Sequence, residues 1–129
     1  MVVALDIDDT ITRHPEFFAF LSRRLLDEGH KVVIITFRED RQATRVLLDN
    51  LGIAFSTLVT SSLEAHLTHG VDEWKAAVCR EHAVDVFFED DPRVIRHVAE
   101  PTVCMMPVDK KLHDLDAMIR PLFGEDDGS

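Results

Sequence analysis

Five short apolar runs, each followed by a segment with helical periodicity, constrain the fold of this chain more than any other feature. Such alternation is typical of strands and helices arranged around a parallel sheet. It predicts an α/β protein with a three-layer α/β/α Rossmann-like fold and a five-stranded, mainly parallel sheet. The predicted strands are residues 2–7, 32–35, 55–59, 84–88 and 102–105.

Turn and capping residues predict the helices between these runs. Residues 60–71 form a polar stretch with one short apolar patch. The predicted helices cover about 16–29 and 40–50 and continue from Asp72, Pro92 and Asp109. The side chains predicted to face the core from the five helices are, in order, Phe17, Phe20, Leu21 and Leu25; Ala43, Leu47 and Leu51; Trp74, Ala77 and Val78; Val94, Ile95 and Val98; and Leu112, Leu115 and Ile119.

Length and charge limit the class of protein. A chain of 129 residues corresponds to one domain, expected to span residues 1–123 and to be followed by an acidic, frayed tail at 124–129. With 14 basic and 24 acidic residues, the formal net charge is −10, which disfavours binding to nucleic acid or to a membrane. No leader or membrane-spanning run is evident, so we expect a cytoplasmic protein. Cys79 and Cys104 have neither zinc nor C-x-x-C spacing and are expected to be reduced core residues.

Acidic side chains follow two of the predicted strands. Asp6 and Asp8 end the first strand, and their spacing predicts that both point the same way. Glu89 and Asp90 follow the fourth strand, whereas Asp91 before a proline is typical of a helix cap. If the two strands are neighbours, the carboxylates converge, and a hard cation would relieve their repulsion. Mg²⁺ fits best because it accepts a few carboxylate or carbonyl oxygens.

These residues lie within four motifs that resemble those of a known family. The run from Asp6 to Thr10 resembles the D-x-D-x-T motif of the haloacid dehalogenase superfamily, most members of which are magnesium-dependent phosphatases. Residues 32–36 are similar to the second motif, Lys75 to the third, and residues 87–90 to the acidic fourth. The resemblance implies a magnesium-dependent phosphomonoester hydrolase (phosphatase) that acts through an aspartyl phosphate.

The resemblance also implies catalytic roles for individual residues. Asp6 would be the nucleophile that attacks phosphorus. Asp8 would be the general acid for the leaving oxygen and then the general base for water. Thr36 would donate its hydroxyl to a phosphoryl oxygen, and Lys75 would offset negative charge. The competing interpretations are a strand-ending Thr36 and a solvated Lys75.

The same resemblance implies a ligand set for Mg²⁺. Asp6, the main-chain carbonyl of Asp8 and Asp90 would bind the ion directly, and Glu89 would contact it through water. The family usually has aspartate where this chain has Glu89. That difference, together with the third acid at Asp91, leaves open which acid of the fourth motif is the ligand.

Several basic residues are weaker candidates. Arg38 follows Thr36 by two residues, and Arg13 with His14 follows the first motif, so these side chains could bind a substrate phosphate. Surface arginines are common, and both could equally be solvated. His66 and His69 have the spacing of a metal pair on a helix, but no third ligand is evident.

The spacing of the motifs bears on substrate choice. The family often carries a cap domain after the first motif or between the second motif and the lysine. Residues 11–31 and 37–74 are used by predicted core elements, which leaves no room for a cap. The site is therefore expected to be open, or covered by a neighbouring subunit of a homo-oligomer or by a bulky substrate. The substrate would be a phosphorylated small molecule or macromolecule.

A second interpretation is a module without catalysis. A receiver-like or pseudo-phosphatase domain could bind Mg²⁺ and phosphate and serve as a switch or scaffold. A receiver collects acids and a lysine around a sheet, but it does not require a second aspartate two residues after its phosphoacceptor. Asp8 therefore favours the enzyme.

Overall fold

The computed structural model describes residues 1–123, in which five parallel strands form one sheet. The strands are β1 (Val2–Leu5), β2 (Lys31–Ile35), β3 (Thr57–Val59), β4 (Val86–Phe88) and β5 (Val103–Met105), in the order β3-β2-β1-β4-β5. All four pairings are parallel. The predicted fold class is therefore confirmed. The chain moves outward from β1 to β3 on one side and from β4 to β5 on the other, so the strand order reverses between β1 and β4.

Six helices flank this sheet within the described residues. They are α1 (Pro15–Asp27), α2 (Arg41–Asn50), α3 (Leu63–His69), α4 (Val71–Glu81), α5 (Pro92–Ile95) and α6 (Leu115–Phe123). Side-chain caps explain several starting points: Asp40, Ser62 and Asp91 each accept a main-chain N–H of the first turn. The predicted tail at 124–129 lies outside the described residues.

The core has two parts, one on each face of the sheet, because successive strand residues point to opposite faces. One face carries Val3, Leu5, Val32 and Ile34 with Phe18 of α1. The other carries Ala4, Val33, Ile35 and Phe87 with Trp74 and Val78 of α4. Burial of each large aliphatic side chain contributes about 1.5–3 kcal/mol. The central strand β1 is thus covered on both faces, and its carboxyl end is held firmly in place.

Two helices begin elsewhere than predicted, and one helix was not predicted. Residues 60–71 contain α3, and α4 begins at Val71, so the prediction that Asp72 caps the helix was wrong. The two helices share Gly70, whose φ of 83° lets the chain turn sharply between them. The last helix begins at Leu115 rather than at Asp109. Residues 109–113 form a turn instead, and Asp114 accepts the N–H of Ala117 in the first turn of α6.

Several residues predicted to face the core are exposed, whereas Leu21, Leu25, Leu47 and Leu51 pack against the core as predicted. Phe17 and Phe20 are 52% and 63% exposed, whereas Phe18 and Ser22 are the buried residues of α1. Helix α2 likewise buries Thr44 and Leu48 and exposes Ala43. Leu112 and Ile119 are exposed as well. In α1, Phe17 and Phe18 are adjacent, so the sequence allows either of them to face the core. Phe18 does so, because its ring packs edge-to-face on Phe88 with the ring centroids 5.5 Å apart.

Two smaller expectations concern the cysteines and the membrane. Cys79 is buried, Cys104 is half-buried, and both are free thiols. Among residues 1–123, no helix combines the length and the apolar character that crossing a lipid bilayer demands.

Candidate functional site

The carboxyl ends of β1 and β4 form the candidate site, at the point where the strand order reverses. Asp6 continues the β1–β4 ladder, since its N–H donates to the carbonyl of Phe88 at 3.0 Å. The chain then leaves the strand in an irregular turn over Ile7–Ile11, in which Asp9 has a left-handed φ of 63°. Aspartate tolerates this conformation better than most residues. The first strand is therefore shorter than predicted, and Ile7 belongs to the turn.

Asp6 is buried, and each of its carboxylate oxygens accepts a hydrogen bond. Only 4% of the residue is exposed. Its Oδ1 accepts a hydrogen bond from Lys75 Nζ at 2.7 Å, and its Oδ2 accepts one from Thr10 Oγ1 at 2.9 Å. Burial raises the pKa of Asp6 to about 6, although Lys75 opposes the rise. Each carboxylate oxygen can accept a second bond, so Asp6 keeps acceptor capacity toward a ligand.

Lys75 lies in the interior, on the fifth residue of α4. Its Nζ donates to Asp6 Oδ1 and to Glu89 Oε1, both at 2.7 Å, and lies 4.5 Å from the centroid of the Phe37 ring. Burial opposes the ammonium, but the two carboxylates outweigh that effect and raise the pKa of Lys75. The solvated interpretation of Lys75 is therefore wrong. The lysine is a fixed positive charge between two acids.

Three carboxylates can share one cation. One oxygen from each of Asp6, Glu89 and Asp90 lies within 4.8 Å of the others. Glu89 is buried and also accepts the N–H of Asp91 at 3.1 Å, while Asp90 is half-buried, with its Oδ1 3.5 Å from Thr10 Oγ1. Burial, followed by the proximity of Asp6, raises the pKa of Asp90 to about 6. The predicted convergence is confirmed for these three acids, whereas the prediction that Asp8 joins them was wrong, because the exposed Asp8 carboxylate binds Arg38.

The charge of the cluster suits a hard cation. Six carboxylates and one ammonium line a cavity of about 180 Å³, whose wall also includes Phe37; the acids are Asp6, Asp8, Asp9, Glu89, Asp90 and Asp91. Lys75 and the two arginines that pair with Asp8 and Asp91, Arg38 and Arg93, still leave the six acids with more negative than positive charge. Carboxylate oxygens are the ligands that hard divalent cations prefer, so the residues present fit such an ion.

Asp8 lies on the wall of the same cavity but outside the three-carboxylate cluster. Its carboxylate faces solvent and binds Arg38 through both oxygens, at 2.8 Å to one guanidinium nitrogen and 3.1 Å to the other. The hydrogen bond to Asp8 outweighs the effect of burial and raises the pKa of Arg38. Asp8 and Arg38 thus form an ion pair at the cavity rim.

Of the remaining predicted residues, Asp91 lines the cavity, whereas Thr36, Arg13 and His66 lie off its wall. Thr36 is fully buried, and its Oγ1 accepts the N–H of Arg38 at 3.1 Å. Arg13 is bound to Asp109 at 2.6 Å. His66 contacts Ser61 Oγ at 2.6 Å through Nε2 and packs against Phe37. Asp91 caps α5, as its sequence context predicts.

Three contributors were missed by the sequence reasoning. Thr10 is part of the first motif but had no assigned role, although its hydroxyl reaches Asp6. Phe37 supplies an apolar wall beneath the ammonium of Lys75, and His113 reaches the carbonyl of Asp90 with its Nε2 at 3.1 Å. Only Thr10 had a signal in the sequence, since its position in the motif places it one turn beyond Asp6.

We predict that Asp90→Asn stabilises the metal-free protein at pH 7.5. The pKa of Asp90 is about 6 in the folded protein against an ordinary 3.8, so the folded state holds this proton more tightly than the unfolded state does. Ionisation therefore costs stability as pH rises from about 4 to 6. Removing the charge should add about 1 kcal/mol, since solvent screens a half-exposed group.

Denaturant titrations with a chelator present measure this effect. The gain should shrink as pH falls from about 6 to 4 and be close to zero at about pH 3, where Asp90 is mostly protonated in both states. Asp27→Asn, at an exposed position on α1, provides the matched control and should change nothing. A metal-free Asp90→Asn protein that is less stable than the wild type at pH 7.5 would contradict the prediction.

Comparisons with known proteins agree with the fold. No protein-family model and no curated protein matches the chain. A chain from the Pnkp1/Rnl/Hen1 RNA repair complex is similar, with 17% identity, a TM-score of 0.60, and coverage of 83% of this chain and 43% of that one. Hypothetical protein XCC2798 from Xanthomonas campestris is also similar, with 18% identity, a TM-score of 0.50, and coverage of 80% and 62%. The chain thus spans less than two thirds of each of these proteins, and at these identities the likeness concerns the fold. Fold and site together define a parallel α/β protein with an acidic, cation-compatible cluster where its strand order reverses.

Proposed function

We propose that the chain is a magnesium-dependent phosphomonoester hydrolase of the haloacid dehalogenase type. The environment of Asp6 carries the proposal. Its carboxylate is nearly inaccessible except through the acidic cavity, Lys75 and Thr10 orient it, and Asp90 is close enough to share a cation with it. A carboxylate held in this way is suited to attack an electrophile that enters from the cavity.

The proposed reaction has two steps. In the first, an oxygen of Asp6 bonds to phosphorus, the bond between phosphorus and the leaving oxygen breaks, and Asp8 gives that oxygen a proton. In the second, water attacks phosphorus, Asp8 takes its proton, and the bond to Asp6 breaks to release inorganic phosphate. Lys75 remains protonated throughout and offsets the negative charge around Asp6.

Magnesium would be held by Asp6, Asp90 and the main-chain carbonyl of Asp8. When bound, the ion would polarise the phosphoryl oxygens and reduce their repulsion by the acidic cavity. Glu89 has one oxygen on Lys75 and the other on the N–H of Asp91. We therefore assign Glu89 chiefly to holding Lys75, with contact to the ion through water as its secondary role.

Arg38 is the proposed substrate-binding residue. It stands at the rim of the cavity and now binds both oxygens of Asp8. A substrate phosphate that binds the Arg38 guanidinium in place of Asp8 would free Asp8 for proton transfer. Arg13 is proposed for the same role, although it would first have to leave its ion pair with Asp109. Thr36 is the proposed hydroxyl donor to the phosphoryl group, a role that requires its fully buried side chain to become accessible from the cavity.

The proposed substrate is a phosphorylated small molecule or macromolecule. Between β1 and β2 the chain forms helix α1. Between β2 and α4 it forms α2, β3 and α3. That arrangement supports a site without a cap, which a second copy of the chain could cover. A net charge of −10 argues against nucleic acid as the substrate.

A test of the proposal is hydrolysis of a generic aryl phosphate by the metal-stripped protein. Release of inorganic phosphate should require added Mg²⁺, cease with excess chelator and return when Mg²⁺ is restored. A screen of phosphorylated metabolites would then identify the substrate class. Hydrolysis that proceeds equally well in excess chelator would contradict the metal requirement.

The ion pair between Asp8 and Arg38 favours one alternative, a phosphate-binding switch without efficient turnover. If Arg38 keeps Asp8 engaged after the substrate binds, the second step lacks its base, and the aspartyl phosphate persists. Slow phosphate release with a long-lived acyl phosphate on Asp6 would favour the switch over the hydrolase.

A further inference from the structure

The loop between β5 and α6 folds back onto the candidate site. Asp109 in this loop binds Arg13, which follows the turn after β1, at 2.6 Å. His113 in the same loop contacts the main-chain carbonyl of Asp90, after β4, at 3.1 Å. The loop therefore connects the two chain segments that supply the acidic cluster. Its two contacting residues, Asp109 and His113, lie outside the motifs that predicted the site.

The hydrogen bonds around His113 define its tautomer. Its Nδ1 accepts the N–H of Asp109 at 2.9 Å, so Nδ1 carries a lone pair. The proton is then on Nε2, which donates to the carbonyl of Asp90. The opposite tautomer would direct a lone pair at that carbonyl and leave the N–H of Asp109 without this acceptor. The carbonyl of Asp109, 3.1 Å from Nδ1, already accepts the N–H of His113 at 2.7 Å.

Asp90 needs such support because the hydrogen bonds that its carboxyl group shares with Asp6 and Glu89 require a proton on one of the acids. The contact from Thr10 Oγ1 is long, at 3.5 Å, and that hydroxyl donates to Asp6 at 2.9 Å. The following residue is better held, since the N–H of Asp91 donates to Glu89. The hydrogen bond from His113 limits rotation of the main chain at Asp90, and this rotation determines where the Asp90 carboxylate points.

We propose that His113 is a positioning residue for the metal site: through Asp90 it holds the carboxylate beside Asp6. This inference rests on the metal site of the proposed function. Groups that orient a metal ligand by hydrogen bonding typically account for 10- to 100-fold in metal affinity. Because His113 acts on the main chain of Asp90, its loss is expected to weaken Mg²⁺ binding by on the order of tenfold.

Two variants separate positioning from general support of the loop. The amide of asparagine overlays histidine Nδ1, so His113→Asn keeps an acceptor for the N–H of Asp109 and loses the donor to Asp90. The amide of glutamine overlays Nε2, so His113→Gln keeps the donor. If the role is only to hold the loop, the two variants should be affected alike.

The experiment is calorimetric titration of metal-stripped wild type, His113→Asn and His113→Gln with MgCl₂. We expect the Kd for Mg²⁺ to rise about tenfold in His113→Asn and to stay within about twofold of wild type in His113→Gln. Melting temperatures in excess chelator should be similar for all three proteins. Equal affinity in wild type and His113→Asn overturns the inference, as does equal weakening in both variants.

A parallel assay of aryl phosphate hydrolysis by the wild type keeps the two proposals distinguishable. A wild type that binds Mg²⁺ without hydrolysing the ester overturns the proposed hydrolase, and the Kd values of the variants still decide the role of His113. A wild type that hydrolyses the ester but shows unchanged Mg²⁺ binding in His113→Asn overturns the positioning role alone. A wild type that does not bind Mg²⁺ overturns the positioning role together with the metal site.

Discussion

Asp6→Asn is expected to abolish hydrolysis of an aryl phosphate in saturating Mg²⁺, with a loss on the order of a thousandfold or more. The neutral amide is a poor nucleophile and cannot form the acyl phosphate. The substitution preserves shape, and the amide oxygen can still accept the hydrogen bond that Thr10 gives to Asp6. Initial rates of phosphate release, compared with the wild type, measure the effect.

The matched control for this loss is Asp27→Asn. Asp27 is an exposed residue at the end of α1, so the same chemical change there should leave the rate unchanged. Far-UV circular dichroism should show that both variants are folded. If Asp6→Asn retained more than about a tenth of the activity, Asp6 would not be the nucleophile.

Lys75→Met is expected to reduce the free energy of unfolding by about 3–5 kcal/mol, because it leaves two buried acids without their shared cation. In the wild type, Lys75 Nζ lies 2.7 Å from an oxygen of Asp6 and 2.7 Å from one of Glu89, and all three residues are nearly inaccessible. The deficit should be larger at pH 8 than at pH 5. Without the ammonium the pKa values of both acids rise further. At pH 5 the folded state can therefore protonate them and lose much of their repulsion, whereas at pH 8 more of the negative charge remains. Denaturant titrations of the metal-stripped proteins measure this difference.

A second substitution tests whether the unpaired charge is the cause. Glu89→Gln added to Lys75→Met removes one of the two stranded carboxylates and should recover about 1–2 kcal/mol. Lys31→Met, at an exposed position at the start of β2, should stay within about 0.5 kcal/mol of wild type. A loss in Lys75→Met that matched this control would show that the ion pairs contribute little.

The placement of the acids could be predicted because it follows from strand order and from local pattern. Asp6 comes directly after a strand that is apolar on both faces, and Glu89 and Asp90 follow another such strand. Parallel strands bring their carboxyl ends to one edge of the sheet. Once β1 and β4 are neighbours, these three carboxylates have to meet, and a motif in the sequence was sufficient to locate them.

Contacts that depend on helix phase and on loop conformation could not be predicted. The sequence allows two phases for α1, and only the packing of Phe18 on Phe88 selects between them. Lys75 is a residue type that is rarely buried, and its burial depends on two acids distant in the chain. The contact of His113 with Asp90 depends on the path of residues 106–114, which no periodic pattern encodes.

The central position of β1 bears on how the protein acquires its native state. Asp6 meets Lys75 across 69 residues of chain, and Thr10 meets Asp90 across 80. The entropy cost of closing a loop grows only slowly with loop length. Contacts between residues that are distant in the chain nevertheless slow folding. Because β1 precedes β4 in the chain, its second edge stays unpaired until β4 has been made. We therefore expect the acidic cluster to assemble late in folding, and native protein to recover from denaturant more slowly than a helical bundle of equal length.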